Sequence, residues 1–372
     1  MSAWRLTTWG SVVELQRGFD ITKSEQSLAG GVPVVSSGGV SSYHDRSMAE
    51  GPGVVIGRKG TLGRVHFVQG EYWPHDTTLW VKDFKGNDPR FVYYSLQQLD
   101  TDHFNVGSAS PTLNRNHVYP LPVRWPESIR IQRAIAEVLG ALDDKIASNE
   151  TLTSKLMEMG ELKYLLGTEG ADSCWMSDVL EPVLGGTPSR SDDSLWDGSI
   201  PWVSAKDISR AQAGFVIDTD EGISEEAAAP TRLRPLDPGS VVLTARGTVG
   251  AVARLSVAAS INQSCYGFAT GRVPAGCLYF LIKGSVAQAQ AMAHGSVFDT
   301  ITKKTFENVS VPELTREEWL DLESRVGPMV SASESAVIES RQLACTRDEL
   351  LPLLVSGKIT VKDAENVVSD AV

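Results

Sequence analysis

The 372-residue sequence predicts an α/β (α+β) protein: two similar, mostly-β domains with irregular loops, each followed by a long helix, the helices packing as an antiparallel coiled coil. Three observations carry that expectation. Segments return after about 187 residues, so residues 54–63 (VVIGRKGTLG) reappear as 241–250 (VVLTARGTVG) and 91–94 (FVYY) as 277–280 (CLYF). Short Val/Ile-rich runs stand between Gly, Pro and Ser clusters, as strands do. Two charged stretches step their apolar residues by four and three, the seam of a coiled coil. The expected plan is a pseudo-twofold internal repeat.

In chain order, residues 1–125 form the first block, with strands at 32–35, 54–56 and 79–81 and a short helix around Tyr93. Residues 126–170 form the first spacer helix, with a seam through Ile135, Val138, Leu142, Leu152, Leu156 and Met159; Lys145 and Asn149 interrupt it. A buried Asn fixes register at some cost in stability, and a solvated kink is the alternative. Residues 171–312 form the second block, with a strand at 240–243 and a short helix around Tyr279. Residues 313–358 form the second spacer helix. It opens on the capping box Thr315-x-x-Glu318 and carries the stripe Trp319, Leu322, Val326, Val330, Val337, Ala344, Leu351 and Leu354. Gly357 supplies its left-handed stop, Pro328 predicts a kink or restart, and Pro352 predicts fraying. A tail, 359–372, follows. About 40 residues at 1.5 Å each give rods of roughly 60 Å, long enough to act as a ruler.

Composition narrows the function. The chain is 42% hydrophobic and 22% charged, which excludes global disorder. It has no apolar run of membrane-helix length, and its opening reads as the start of a domain rather than a leader, so a cytoplasmic location is expected. Four dispersed cysteines read as buried reduced thiols. The net charge of −12 disfavours nucleic acid at first, because DNA affinity rests on Lys and Arg. Most of that charge, however, lies in the helical segments: residues 126–170 hold 5 basic against 8 acidic side chains and 313–372 hold 6 against 12. The first block is near neutral, with 12 against 11.

No phosphate-binding Gly-rich loop and no methyltransferase tetrapeptide is present; Asn87-Asp88-Pro89-Arg90 is the nearest approach and reads as a plain turn. Six histidines never reach metal-ligand spacing, so no metal site is expected. His75-Asp76 is a poor dyad if the two lie on a strand, where neighbours point to opposite faces. No catalytic constellation emerges.

Residues 185–190 (GGTPSR), Trp196 and 200–208 (IPWVSAKDI) resemble the opening of a target-recognition domain from the specificity (S, HsdS) subunits of type I restriction–modification enzymes. The turn 246–250 (RGTVG), residues 351–358 (LPLLVSGK) and the block–helix–block–helix plan fit the same family. The first block departs more, since its opening has only Arg17-Gly18 in place of the Gly-Gly-Thr-Pro string. The resemblance implies a non-catalytic DNA-binding subunit: each block reads one half of a split duplex DNA sequence, and the helices set the gap. It implies two methyltransferase (M) subunits as partners and, in complexes that also restrict DNA, two restriction (R) subunits, with no membrane role. S-adenosylmethionine, and ATP with Mg where restriction subunits join, are then expected on the partners and no cofactor on this chain.

Base readout requires Arg, Lys, Asn, Gln or Ser at groove edges, while phosphates accept any cation. Candidates in the first block are Ser37, Tyr43, Arg58, Lys59, Thr61, Ser110, Asn114 and Arg115; in the second they are Lys206, Arg246, Thr248, Asn262, Gln263, Lys303 and Lys304. The bland reading of the repeated Gly-Thr-x-Gly turn is a tight hairpin. Residues shared by both blocks suit a scaffold, and residues that differ, Arg58, Ser110 and Asn114 against Ala245, Phe298 and Thr302, suit specificity. Ile135, Leu142, Asn149, Leu156, Trp319, Leu322, Val337 and Leu351 are the seam and partner-interface candidates. The alternatives are a tandem β-domain adaptor that docks protein partners without a DNA role, and a DNA-modifying enzyme whose site escapes motif reading.

Overall fold

The computed structural model describes residues 4–27, 30–101, 112–229, 233–292 and 300–371. It divides into two compact units, Met1–Lys145 with Gln342–Val372, and Ile146–Arg341.

In the first unit, Trp4–Thr8 pairs antiparallel with Pro122–Pro126. A four-stranded antiparallel sheet runs Glu14–Arg17, Thr78–Asp83, Gly53–Gly57, Val65–Val68. A three-stranded sheet runs Gly39–His44, Val32–Ser36, Trp73–Pro74, with the last pair parallel. Every residue of Gly53–Gly57 is buried, as a continuous apolar run requires. The helix Pro89–Leu96 packs against it. Asp88 caps that helix by accepting from Phe91 N–H at 2.9 Å, and Pro89 sits where a missing N–H costs nothing. The segment Asn87–Arg90 is therefore a helix start, not a plain turn.

The second unit repeats this order. Ser173–Trp175 pairs with Ser310–Pro312. A five-stranded sheet runs Val183–Leu184, Cys265–Phe268, Val241–Thr244, Val252–Leu255, Phe215–Val216. A three-stranded sheet runs Glu221–Ile223, Trp196–Val203, Ser260–Ile261. Register is preserved to the residue: Val55 faces Trp80 and His66, while Val242 faces Gly267 and Ala253. The helix at Tyr279 is not short; it spans Ala275–Met292, 18 residues. Its start is held by Glu323, whose carboxylate accepts from Gly276 and Cys277 N–H at 3.0 Å each.

The long helices are Ile129–Thr168 and Arg316–Val355, 40 residues each. Thr315 and Glu318 form the expected capping box. The second long helix continues through Pro328 and Pro352, because a proline removes only one donor and the packed neighbouring turns hold the rest. At the far end Gly357 has φ +69°, and the bonds Lys358 N to Leu353 O (2.9 Å) and Gly357 N to Leu354 O (3.1 Å) close a Schellman motif. The tail continues as a helix, Val361–Ala371.

The two long helices pair antiparallel within each unit. In the second, Asn149 Nδ2 donates to Glu339 Oε2 at 2.7 Å and lies 3.4 Å from Ala336 O, and Gly167 packs on Leu322. In the first, Arg347 donates to Asp143 Oδ1 at 2.7 Å. Of the expected seam, Ile135, Leu142, Asn149, Trp319, Leu322, Val337 and Leu351 are buried and Leu156 is half-buried. Leu139, not the expected Val138, is the fully buried residue there, and Leu152 and Met159 are exposed. The covered face runs instead through Asn149, Thr153, Gly160 and Tyr164, where small and hydrogen-bonding groups allow close approach. Among the described residues no helix is long and apolar enough to cross a membrane.

Cys265 and Cys277 are buried as expected, and burial pushes the Cys265 thiol up to about 12. Cys174 is only half-buried and Cys345 is exposed on the second long helix, departing from the expectation.

Candidate nucleic-acid interface

The repeated turn is built identically in both blocks. In the first, Gly57 N–H donates to Arg64 O (2.8 Å) and Gly63 N–H to Gly57 O (2.9 Å). In the second, Thr244 N–H donates to Ala251 O (2.9 Å) and Gly250 N–H to Thr244 O (3.0 Å). Gly60 and Gly63, like Gly247 and Gly250, have φ between +75° and +90°, a region side chains resist. The turn therefore holds Lys59 and Thr61, or Arg246 and Thr248, into solvent. The Thr248 carbonyl is itself bonded by the Thr244 hydroxyl.

The wiring extends to two further segments. Arg58 N–H donates to Thr77 O and Arg58 O accepts from Leu113 N–H, both at 2.9 Å. The counterparts are Ala245 N to Ser264 O (2.7 Å) and Ile301 N to Ala245 O (3.0 Å). Behind the turn, His75 Nδ1 accepts from Thr77 N–H at 3.2 Å, and Asn262 Oδ1 accepts from Ser264 N–H at 2.9 Å. The Asn262 carbonyl is thus engaged in holding its own loop, while Gln263 beside it is exposed.

In the first block this wiring brings Arg58, Asn114 and Arg115 together. With Gln16, Arg17 and Asn116 they wall a depression of about 460 Å³. Arg17 is paired with Asp20 (2.6 Å) and Asp76 (3.1 Å). Arg58 Nη1 donates to the Asp76 carbonyl at 3.2 Å. Asn114 caps the one-turn helix Arg115–Val118, accepting from Asn116 N–H at 3.1 Å, and so presents Arg115 and Asn116 outward. His75 and Asp76 do touch (Nδ1 to Oδ1, 3.0 Å), because residues 75–77 form a turn rather than a strand.

The second block puts different chemistry on the same frame. Leu184 occupies the place of Arg17, since Arg17 faces Leu79 and Leu184 faces Tyr266 in equivalent registers. Ala245 replaces Arg58, and Lys303 and Lys304, exposed at the start of the helix Lys303–Glu307, replace Arg115 and Asn116.

Other candidates lie apart from this frame or within its support. Ser37 is buried, and its carbonyl lies 3.2 Å from Nε2 of His66, whose imidazole burial holds below its ordinary range. Tyr43 is exposed on the strand Gly39–His44. Lys206 is paired with Asp220 at 2.8 Å, and Lys206 together with Arg210 lowers that carboxyl. Ser110 lies outside the described residues.

Sequence reasoning passed over Arg17, Asn116 and Leu184. The signal was the glycine that follows Arg17. A Cβ on Gly18 would collide with His75 O, and one on Gly185 with Ile261 O, so Gly18 is the counterpart of the first glycine in the 185–190 string. That string is pinned by indoles: Trp202 Nε1 donates to Gly186 O (3.1 Å) and Trp196 Nε1 to Ser189 O (3.0 Å), with Arg190 stacked 3.7 Å over Trp196.

Residues 1–158 match the family model described as the type I restriction modification DNA specificity domain. The chain is similar to the specificity subunits of type I restriction enzymes. It is 27% identical over 146 residues to the type I restriction enzyme MjaIX specificity subunit of Methanocaldococcus jannaschii, covering 38% of this chain and 34% of that one. It is 25% identical over 247 residues to the EcoR124I/EcoR124II specificity subunit of Escherichia coli, covering 62% of this chain and 60% of that one. The matches thus span about a third and three-fifths of those relatives' lengths. The crystal structure of a type I restriction-modification S subunit from M. genitalium shares the fold, with a TM-score of 0.68 at 15% identity over 94% of this chain and 96% of that one.

Proposed function

We propose that this chain is the DNA sequence-specificity subunit of a type I restriction–modification complex. It reads a gapped, two-part duplex DNA sequence, one part per block, and assembles two adenine methyltransferase subunits, with restriction subunits able to join. It has no active site of its own. S-adenosylmethionine belongs to the methyltransferases, ATP and Mg²⁺ to the restriction subunits, and the complex works in the cytoplasm. Residues 1–125 and 171–312 are the two recognition domains and 126–170 and 313–358 the spacer helices.

The observation that carries this reading is the pairing of conserved wiring with divergent side chains. A common frame keeps the geometry of readout, and Arg58, Arg115 and Asn116 against Ala245, Lys303 and Lys304 supply two different base preferences. The exposed stripe Leu152, Met159, Leu162, Leu166 on the first long helix supports a protein partner there. Base-resolution adenine methylation, in cells holding the cognate methyltransferase with or without this chain, tests the reading. A gapped motif should depend on the chain. Exchange of residues 171–312 for the same block of another specificity subunit should change one half of the motif and leave the other. Methylation independent of the chain, or a change in both halves, overturns the proposal.

A further inference from the structure

Resting on that reading, we infer that the first block recognises its half-site through purine edges, an arginine fork on guanine and the Asn116 amide on adenine, from the depression walled by Arg58 and Arg115. The second block reads without an arginine fork at the equivalent positions.

The groups already engaged leave few side chains free to read bases. Arg17 is held by two carboxylates, Asp20 and Asp76, so it shapes the floor. Among the described residues no carboxylate pairs with Arg58 or Arg115. Arg58 is oriented by the Asp76 carbonyl alone, which fixes one nitrogen and leaves the other donors of the fork available. A planar fork matches two acceptors side by side, and in the major groove guanine O6 and N7 provide that pair. Adenine presents one donor and one acceptor and requires an amide. The Asn114 carbonyl already caps a helix, whereas the Asn116 side chain is exposed on the same wall. Asn116, not Asn114, is therefore the adenine reader.

At the positions of Arg58, Arg115 and Asn116 the second block cannot repeat this chemistry. Ala245, at 3% exposure, ends in a buried methyl where Arg58 extends, and Leu184, 43% exposed, offers an apolar contact where Arg17 carries charge. Lys303 and Lys304 bring positive charge without a planar pair of donors.

The test compares methylation motifs of the full complex carrying Arg58→Lys, Arg115→Lys, Asn116→Ala or, as a control, Lys303→Ala. Lysine keeps the charge, so a phosphate contact survives while the fork is lost. At least one arginine variant should relax a single guanine position by roughly ten- to a hundredfold. That position should lie in the half that the 171–312 exchange leaves unchanged. Asn116→Ala should relax an adenine of the same half, and Lys303→Ala should leave that half intact. In the purified complex, 7-deazaguanine at the relaxed position should reproduce the loss without altering the protein. Matching thermal unfolding of the variant complexes keeps misfolding out of the comparison.

An unchanged motif in both arginine variants overturns the inference. So does a half-site without guanine, relaxation in the other half, or equal weakening on every sequence, which marks a phosphate contact. Failure of the specificity reading itself is visible separately, as a wild-type complex with no gapped motif.

Discussion

The two blocks share a main-chain frame around the repeated turn and carry different side chains on it. Around the turn, the main-chain bonds Gly57 to Arg64, Gly63 to Gly57, Arg58 to Thr77 and Leu113 to Arg58 of the first block return in the second as Thr244 to Ala251, Gly250 to Thr244, Ala245 to Ser264 and Ile301 to Ala245, displaced by 187 or 188 residues. At the same positions the side chains exchange arginine for leucine or alanine, and asparagine for lysine. The frame is fixed where substitution is sterically forbidden, at Gly18 and Gly185 against a carbonyl and at the left-handed glycines of the turn. Where side chains leave the frame into solvent, nothing in the fold restricts them. On the proposed function, a reader of two unlike half-sites needs that division.

The strongest way to break the comparison is at the close approach. Gly18→Ala and Gly185→Ala each drive a Cβ into main-chain oxygen, with no flexible group able to yield. Each should cost more than about 4 kcal/mol, the exceptional end of single-substitution effects, and each should destabilise its own block in chemical denaturation. Tolerance of one but not the other would mean the two frames are not equivalent.

A smaller effect separates two solutions to one packing problem. Trp319 and Gln132 occupy the same position in the first turn of their helices, and both are buried. Trp319 fills the core of the second unit. Gln132 instead accepts from Asp88 N–H (2.9 Å) and donates to Asn87 Oδ1 (2.8 Å) and Pro126 O (3.0 Å), beside the Trp125 indole on the same Asn87 oxygen (2.8 Å). Trp319→Ala should lower stability by about 3–5 kcal/mol through lost contacts and a cavity. Gln132→Ala should lower it by about 1–3 kcal/mol, the penalty of leaving buried polar groups unpaired. Neither should alter the methylated motif. A changed motif would place these helix starts in recognition rather than support.

Much of the fold was legible because the repeat, the valine runs, the capping box and Gly357 are local signals. The helix seam was legible only in part. Leu152 and Met159 continue the apolar stepping, yet the covered face holds Asn149, Thr153 and Gly160, and periodicity alone cannot tell which of two neighbouring stripes meets a partner helix. The candidate site was legible at the turn and at Arg58, Asn114 and Arg115, which sit near repeated strings. Arg17 was not. It joins the cluster through pairing with Leu79 and Asp76, far along the chain, and its counterpart Leu184 lies 167 residues on, because the second block inserts the helix Ala205–Arg210 and its return.

The smallest expected difference concerns acid. In the first unit Arg90 clasps Asp144 with two bonds, Nη2 to Oδ1 at 2.6 Å and Nη1 to Oδ2 at 3.1 Å, and holds that carboxyl below its ordinary range. In the second unit the residues in register are Gly276 and Ser331, and no such pair exists. A carboxyl with a depressed folded pKa adds stability above its unfolded value, about 3.9, and loses it as pH falls through the lower folded value. Asp144 is 64% exposed, so water screens the pair and its worth is below about 1 kcal/mol. Asp144→Asn should therefore lower stability slightly at neutral pH, with the difference from wild type closing as pH falls below about 4. Urea denaturation at neutral and acid pH reads this directly. A deficit that stays constant across the range would assign Asp144 a packing role and remove this electrostatic distinction between the two units.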